Sequence, residues 1–315
     1  YSITHLKEIF NFFIRIKLIE KGKNYSNKDK GGSRTVRTDL AVEIKTDISD
    51  KDSGIEKEEA VNGDVKTTII RITSKKGEET LGRPCGTYIT AEFPDINKIA
   101  DFGGIKEEII KALSSLLNGI NGTVLVAGLG NTEITPDSVG PFTAKKILAT
   151  RHISGQLAKS IGLDGLKSVA VITPDVLGKT GIEAAELIKC AADTVKPAAV
   201  IVIDSLAAKD PDRLFKTVQL CDTGIRPGSG VKNSRSEISE KTVGVPVAAV
   251  GVPTVTDVES LAYSLTGKMP EAESGMFVTP KDVDLLCDRI SEILSLSLNE
   301  FLQPEIEPDI ISGLV

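Results

Sequence analysis

Four short, almost wholly apolar runs constrain what this chain can become: Thr123-Val-Leu-Val-Ala127, Ser168-Val-Ala-Val-Ile-Thr173, Ala199-Val-Ile-Val-Ile203 and Val247-Ala-Ala-Val-Gly-Val252. Each has strand length and is rich in β-branched residues. A strand apolar on both sides must be covered on both sides, as in a parallel sheet. Apolar residues at helical spacing recur between and around these runs. They mark helices at Ile105–Leu117, Gly181–Val195, Asp257–Leu265 and Lys281–Leu302, the second ended by Lys196-Pro197. Strands alternating with helices imply βαβ units and a mostly parallel sheet with helices on both faces. Ser205–Phe215 reads as a further helix interrupted by Pro211, and Thr217–Cys221 as a short strand. Ahead of this block, Val65–Thr73 and Gly86–Phe93 alternate as strands and Thr35–Ile44 is extended. Residues 46–63 are charged and read as loop or surface helix. These N-terminal strands are expected to form a small additional β layer beside the main sheet.

The first apolar run breaks off at Gly128-Leu-Gly-Asn-Thr-Glu-Ile-Thr-Pro-Asp137-Ser-Val-Gly-Pro141. Gly128 and Gly130 permit a sharp turn or close approach. Pro136 fixes the backbone before Asp137, and Ser138 is placed to cap a helix running to Leu148. Asp137 therefore stands at the carboxyl end of a central strand, the edge where ligands of open α/β sheets bind. Asp204 follows the Ala199–Ile203 run in the same way. Two carboxylates meeting at one water can divide the work, one accepting its proton and the other donating to the substrate. The alternative is that either Asp merely caps a helix.

Other residues compete. Thr173-Pro-Asp175 repeats the Thr-Pro-Asp of the central stretch. The Gly128–Glu133 stretch has only two of the three glycines of a dinucleotide fingerprint. His152 and His5 are the only histidines, and neither lies in a nucleophile elbow. His152 reads as a surface or capping residue. The Gly-rich loop Asp222-Thr-Gly-Ile-Arg-Pro-Gly-Ser-Gly230 is shaped to touch something, and Asp222 can pair with Arg226.

The net charge of -6 argues against a nucleic-acid binder. Cys85, Cys190, Cys221 and Cys287 lie far apart, which fits neither structural zinc nor a disulfide framework and points to a reducing, intracellular compartment. No apolar run approaches the ~18 residues of a membrane span. Ile9–Ile19 is apolar but interrupted by Asn11, Arg15 and Lys17, and no small-residue cleavage site follows it. It reads as a docking helix or unstructured extension, and Gly22–Ser33 as a flexible linker. The chain starts at Tyr1 rather than Met, which points to a fragment or an uncertain start.

Several longer motifs resemble those of the germination proteases of endospore-forming bacteria. They are Arg37-Thr-Asp-Leu-Ala-Val-Glu43, Gly128-Leu-Gly-Asn with Thr135-Pro-Asp-Ser-Val-Gly-Pro141, Thr150-Arg-His152, Gly178-x-Thr-Gly-Ile-Glu183, Ile203-Asp-Ser-Leu-Ala-Ala208, the Asp222–Val231 loop, Gly244-Val-Pro-Val, Gly251-Val-Pro-Thr254 and Val278-Thr-Pro-Lys281. The resemblance runs from about Arg37 to about Leu302. It implies an α/β three-layer sandwich similar to hydrogenase-maturation proteases, and an atypical aspartic endopeptidase that degrades small acid-soluble spore proteins. The family's essential aspartates fall on Asp137 and Asp204, so Asp175 drops out. Asp222, Thr223, Gly224 and Arg226 become a possible substrate-binding loop. The family is a tetrameric zymogen, whose propeptide site falls here on Asp39-Leu40-Ala41. The implied division is an N-terminal extension and propeptide, 1–39, and one peptidase domain, 40–315. The implied setting is the cytoplasm of forespore and spore, with no cofactor and no direct nucleic-acid or membrane partner. Residues 1–33 are longer than the usual propeptide, and the Thr266–Gly275 region is short where some members carry an insertion. Lys232 stands where Gly is common. Two other readings stay open. One is a metal-dependent maturation-type endopeptidase using the same carboxylates as ligands, which would want a well-placed His. The other is a non-enzymatic nucleotide-binding regulator.

Overall fold

The computed structural model describes residues 38–44, 54–153, 155–160, 165–228, 235–271, 274–307, 310–311 and 313–314. The apolar Ile9–Ile19 stretch, the 22–33 linker, Lys232 and residues 46–53 lie outside them. The strands are β1 (Ile55–Asn62), β2 (Val65–Ile72), β3 (Gly86–Glu92), β4 (Val124–Gly128), β5 (Val169–Ile172), β6 (Ala199–Ala207), β7 (Thr217–Cys221), β8 (Val247–Asp257) and β9 (Phe277–Val278). The principal helices are α1 (Lys75–Leu81), α2 (Gly103–Leu116), α3 (Val139–Lys145), α4 (Ala184–Val195), α5 (Val258–Thr266) and α6 (Val283–Leu302).

The sheet runs β1-β2-β3-β7-β8-β6-β4-β5, with the two residues of β9 paired to the end of β8. The β8-β6-β4-β5 pairings are parallel, and those from β1 through β7 to β8 are antiparallel. The four apolar runs thus form the parallel half of the sheet, with β5 at its margin. The N-terminal strands make no layer of their own. They join the same sheet through β7, where Ile89 lies opposite Leu220.

Alternation along the central strands sends side chains to two cores. Val126, Ile201, Ile203 and Val250 pack with Ile109 and Leu113 of α2 and Ile290, Ile293, Leu294 and Leu298 of α6. Leu125, Val200, Val202 and Val247 pack on the other face with Ile188 and Ala192 of α4. In α6 the apolar residues recur three and four apart, so one stripe of this 20-residue helix is buried. The end of α4 is set by Lys196, which turns left-handed before Pro197.

Three local expectations change. Residues 55–62 are a strand, not loop or helix; all but Ile55 are exposed, so no apolar alternation marks them. Ser205–Phe215 is not a helix. β6 continues beside the 11-residue β8 through Asp204 to Ala207, where a bulge intervenes, and Pro211 helps close a single 3-10 turn. The extended reading of Thr35–Ile44 fails at Ala41–Glu43, also a 3-10 turn.

Candidate active site

The segment after β4 is built on close backbone contacts. Leu129 N–H donates to Ile203 O at 2.8 Å, extending the ladder one residue past β4. Gly130 has φ +119°, and a Cβ there would lie 2.0 Å from the Asp137 carbonyl oxygen. Only glycine fits that turn. Asn131 N–H donates to Asp137 O at 2.9 Å, and the Asn131 side chain accepts from Glu133 N–H at 2.9 Å. The loop closes on itself, and Thr135–Asp137 makes one 3-10 turn into α3. Ser138 does not cap α3 as expected; its hydroxyl donates back to Thr135 O at 2.7 Å.

Helix α3 lies directly on the strands. A Cβ on Gly140 would be 2.2 Å from Leu129 O and 2.5 Å from Ile203 O. The same contact fills the space beside Gly128, where a Cβ would meet Gly140 O at 2.3 Å. These glycines serve helix–sheet packing and leave no room there for a phosphate. α6 braces the turn from behind, through Cys287 Sγ to Thr135 O at 3.2 Å and Ser291 Oγ to Val139 O at 3.3 Å.

Asp204 lies within β6 opposite Gly251 of β8. It is 5% exposed, and one carboxylate oxygen accepts the Ser205 N–H at 2.9 Å. Asp137 and Asp204 line one cleft of ≈ 450 Å³, whose apolar wall includes Ile134, Leu177, Val255 and Phe277. Burial raises Asp137 from 3.8 to about 6, opposed by the Asn131 backbone and assisted by the Asp175 charge. Burial also pushes Asp204 well above the usual carboxylate range, with the Asp137 and Asp39 charges adding to it. Burial thus favours the protonated form of Asp204 more strongly than that of Asp137. A base beside an acid is the distribution that attack of water on a carbonyl requires.

Asp175 also lines this cleft. It follows β5, sits at φ +61°, and is held 3.5 Å from Lys179 Nζ. Of the four residues in the predicted substrate loop, Arg226 lines the cleft. It pairs with Glu237 at 2.8 Å, not with Asp222. Asp222 instead accepts Thr87 N–H at 2.8 Å. Gly224 turns at φ +78°, where a Cβ would meet Ile238 O at 2.1 Å, and a Cβ on Gly86 would press on Thr223. Those three shape the loop's base. Residues 229–234 lie outside the described residues. His152 is exposed and does not line the cleft. No group of His, Cys, Asp and Glu suited to a metal ion occurs among the described residues.

Asp39 lines the cleft as well, which sequence reading had not anticipated. Its N–H donates to Ala207 O at 3.0 Å, and its carboxylate accepts Ala207 N–H at 2.9 Å. The Gln219 amide donates to Asp39 O at 2.9 Å and accepts Ala41 N–H at 2.6 Å. Leu40 and Ala41 are 0% exposed. The Asp39–Leu40 bond is thus tied into the fold instead of lying on reachable extended chain. Lys179 and Arg235 were also missed. Only the four-residue spacing of Lys179 from Asp175 hinted at an ion pair.

The family model for germination proteases matches residues 34–266. The germination protease of Clostridium tetani is 38% identical over 322 residues, covering 89% of this chain and 99% of its own length. That of Clostridium acetobutylicum is 36% identical, covering 87% and 97%. That of Bacillus velezensis is 38% identical over 242 residues, covering 72% and 65%. Among solved structures, the NiFe hydrogenase maturation protease HycI from Thermococcus kodakarensis KOD1 aligns with a TM-score of 0.34 at 14% identity, over 60% of this chain and 97% of that one. A likeness that loose carries no argument about the site.

Proposed function

This chain belongs to the germination protease family and is a peptidase, and from that premise we propose that it cuts small acid-soluble spore proteins at germination with an Asp137/Asp204 dyad. The observation that carries the reading is the shared cleft, in which burial, and at Asp204 also the Asp137 charge, raise the two carboxylates to different degrees. Asp137 takes a proton from water as the oxygen attacks the peptide carbonyl carbon. Asp204 gives its proton to the carbonyl oxygen. In collapse, the amine leaves with the proton held by Asp137, and Asp204 recovers its own from the hydroxyl as the new carboxyl group forms. The apolar wall suits an extended peptide carrying an apolar side chain.

The same reading includes a tetrameric zymogen in the spore cytoplasm that cuts itself between Asp39 and Leu40. Asp39 in the cleft supports it, since the bond begins near the dyad. The segment must first leave Ala207 and Gln219. No helix among the described residues is long and apolar enough to cross a membrane, which fits that location.

The test is activity of Asp137→Asn and Asp204→Asn. Both variants should keep their fold and lose all but about one per cent of activity, since each amide is nearly isosteric and cannot exchange the proton. A variant retaining a tenth of the activity or more, to order of magnitude on the same scale, would reduce that residue to a structural role. Dialysis of the wild type against a chelator should leave activity unchanged; loss restored by zinc would turn the carboxylates into metal ligands.

A further inference from the structure

Asn131 ends the Gly128-Leu-Gly-Asn motif and takes no part in the dyad chemistry described above. The backbone sets it where the two aspartates come together. Leu129 N–H bonds Ile203 O, next to Asp204, at 2.8 Å, and Asn131 N–H bonds Asp137 O at 2.9 Å. A Cβ on Gly130 would lie 3.2 Å from Asp137 Oδ1. The Asp137 carboxylate thus rests against the turn that carries Asn131.

The Asn131 side chain is 7% exposed and lines the cleft. One bond fixes its orientation. Glu133 N–H can only donate, so the atom it meets at 2.9 Å is Oδ1, and the amide nitrogen points the other way. Glu133 is anchored in turn: its carboxylate binds Lys179 Nζ at 2.9 Å, and Lys179 also faces Asp175 at 3.5 Å. That clasp holds the loop from outside the dyad. The Nδ2 hydrogens bond to no described residue. Buried donors are normally satisfied, and for a side chain that lines the cleft the remaining partner is whatever the cleft binds. The Ser205 and Thr254 hydroxyls, also unpartnered at the cleft, are covered by protein and present nothing to a substrate.

We propose that Asn131 is a third catalytic residue: its side-chain amide donates a hydrogen bond to the carbonyl oxygen of the peptide bond under attack. The proposal rests on the dyad reading. A carbonyl oxygen has two lone pairs. Asp204 delivers its proton to one, and Asn131 Nδ2 holds the other. The amide keeps both hydrogens throughout, and no bond to it forms or breaks. Negative charge gathers on the carbonyl oxygen as water adds, so this hydrogen bond is stronger in the transition state than in the bound substrate. A donor already aimed needs no reorganisation at that moment, and a cleft with apolar walls makes it count for more than it would in water. A cation in this place would favour the ionised form of Asp137 and weaken it as a base. The neutral amide stabilises the oxygen and leaves the base alone.

The experiment compares the wild type with Asn131→Ser and Asn131→Asp. Both replacements keep an oxygen able to accept Glu133 N–H, and neither carries an amide donor. On a quenched fluorescent peptide spanning residues 36–44, kcat should fall about a hundredfold or more, with KM within about threefold of wild type. Two uncleavable forms of that peptide, altered at the bond between residues 39 and 40, give a readout besides turnover. A phosphinate carries tetrahedral oxygens like those of the attacked carbonyl. A reduced CH2–NH linkage carries no oxygen at all. Both variants should bind the phosphinate about a hundredfold more weakly and the reduced peptide as tightly as wild type does. If kcat stays within about threefold of wild type, or both peptides weaken equally, Asn131 only shapes the loop and the proposal falls. Should Asn131→Ser fail to fold, the nearly isosteric Asn131→Asp decides. An active Asp137→Asn would sink the dyad reading itself, while the pair of uncleavable peptides still reports on Asn131.

Discussion

Replacing Asp137 with Asn should kill the enzyme and stabilise the protein. The structure buries this carboxylate, and the Asn131 backbone opposes the effect of that burial. A rise from 3.8 to about 6 corresponds to about 3 kcal/mol between the two protonation states. For an acid whose folded value is raised, the native state holds its proton more tightly than the unfolded chain. Stability is then full below pH 3.8, falls as pH rises, and levels off above about 6. The amide resembles the protonated acid and carries no such dependence. At pH 7.5 Asp137→Asn should therefore unfold later than the wild type by up to about 3 kcal/mol, or roughly 6 °C in Tm at the low end of the usual conversion. At pH 4 the two should nearly coincide. Urea unfolding and thermal melts at the two pH values measure this directly. A variant less stable than wild type at pH 7.5, or equally stabilised at both, would refute the claim that desolvation dominates at Asp137.

Two further outcomes follow from the backbone. Gly140→Ala should destabilise by about 2 kcal/mol or more, because its Cβ would meet carbonyl oxygens of Leu129 and Ile203 and not movable side chains; a melt within one degree of wild type would contradict that. On incubation the full chain should yield a product starting at Leu40, absent from Asp137→Asn. Gln219→Ala, lacking two hydrogen bonds that hold the segment, should process roughly tenfold faster, taking about 1 kcal/mol for each bond less some relaxation; mass spectrometry reads both, and a cut in the inactive chain would assign processing to another protease.

The sheet's centre was legible because parallel strands covered on both faces must be apolar throughout, as Val200–Ile203 are. β1 was illegible for the opposite reason: an edge strand lying on solvent carries Glu-Lys-Glu-Glu and mimics a loop. Ser205 read as the start of a helix, with Asp204 as an alternative cap, because Asp and Ser are capping residues, yet the Asp204 backbone is held in a ladder by β8, 47 residues later at Gly251. Local preference cannot foresee that pairing. Both candidate aspartates were visible as polar interruptions after apolar runs. The clasp of Lys179 and the burial of Leu40 were not, since each depends on segments distant in sequence.

The two ends of the sheet differ in how they meet other molecules. β5 is only four residues long, too short to template much of a foreign strand. β1 is twice that length, but Glu56, Lys57, Glu58 and Glu59 follow one another along it, tied to Lys66 and Arg71 of β2. A neighbouring chain adding here would have to desolvate that row and set like charges side by side. Among the described residues, both margins of the sheet are thus poor templates for a foreign strand. Neutralising Glu56, Glu58 and Glu59 together would remove that protection while leaving the cleft, on the far strands, untouched.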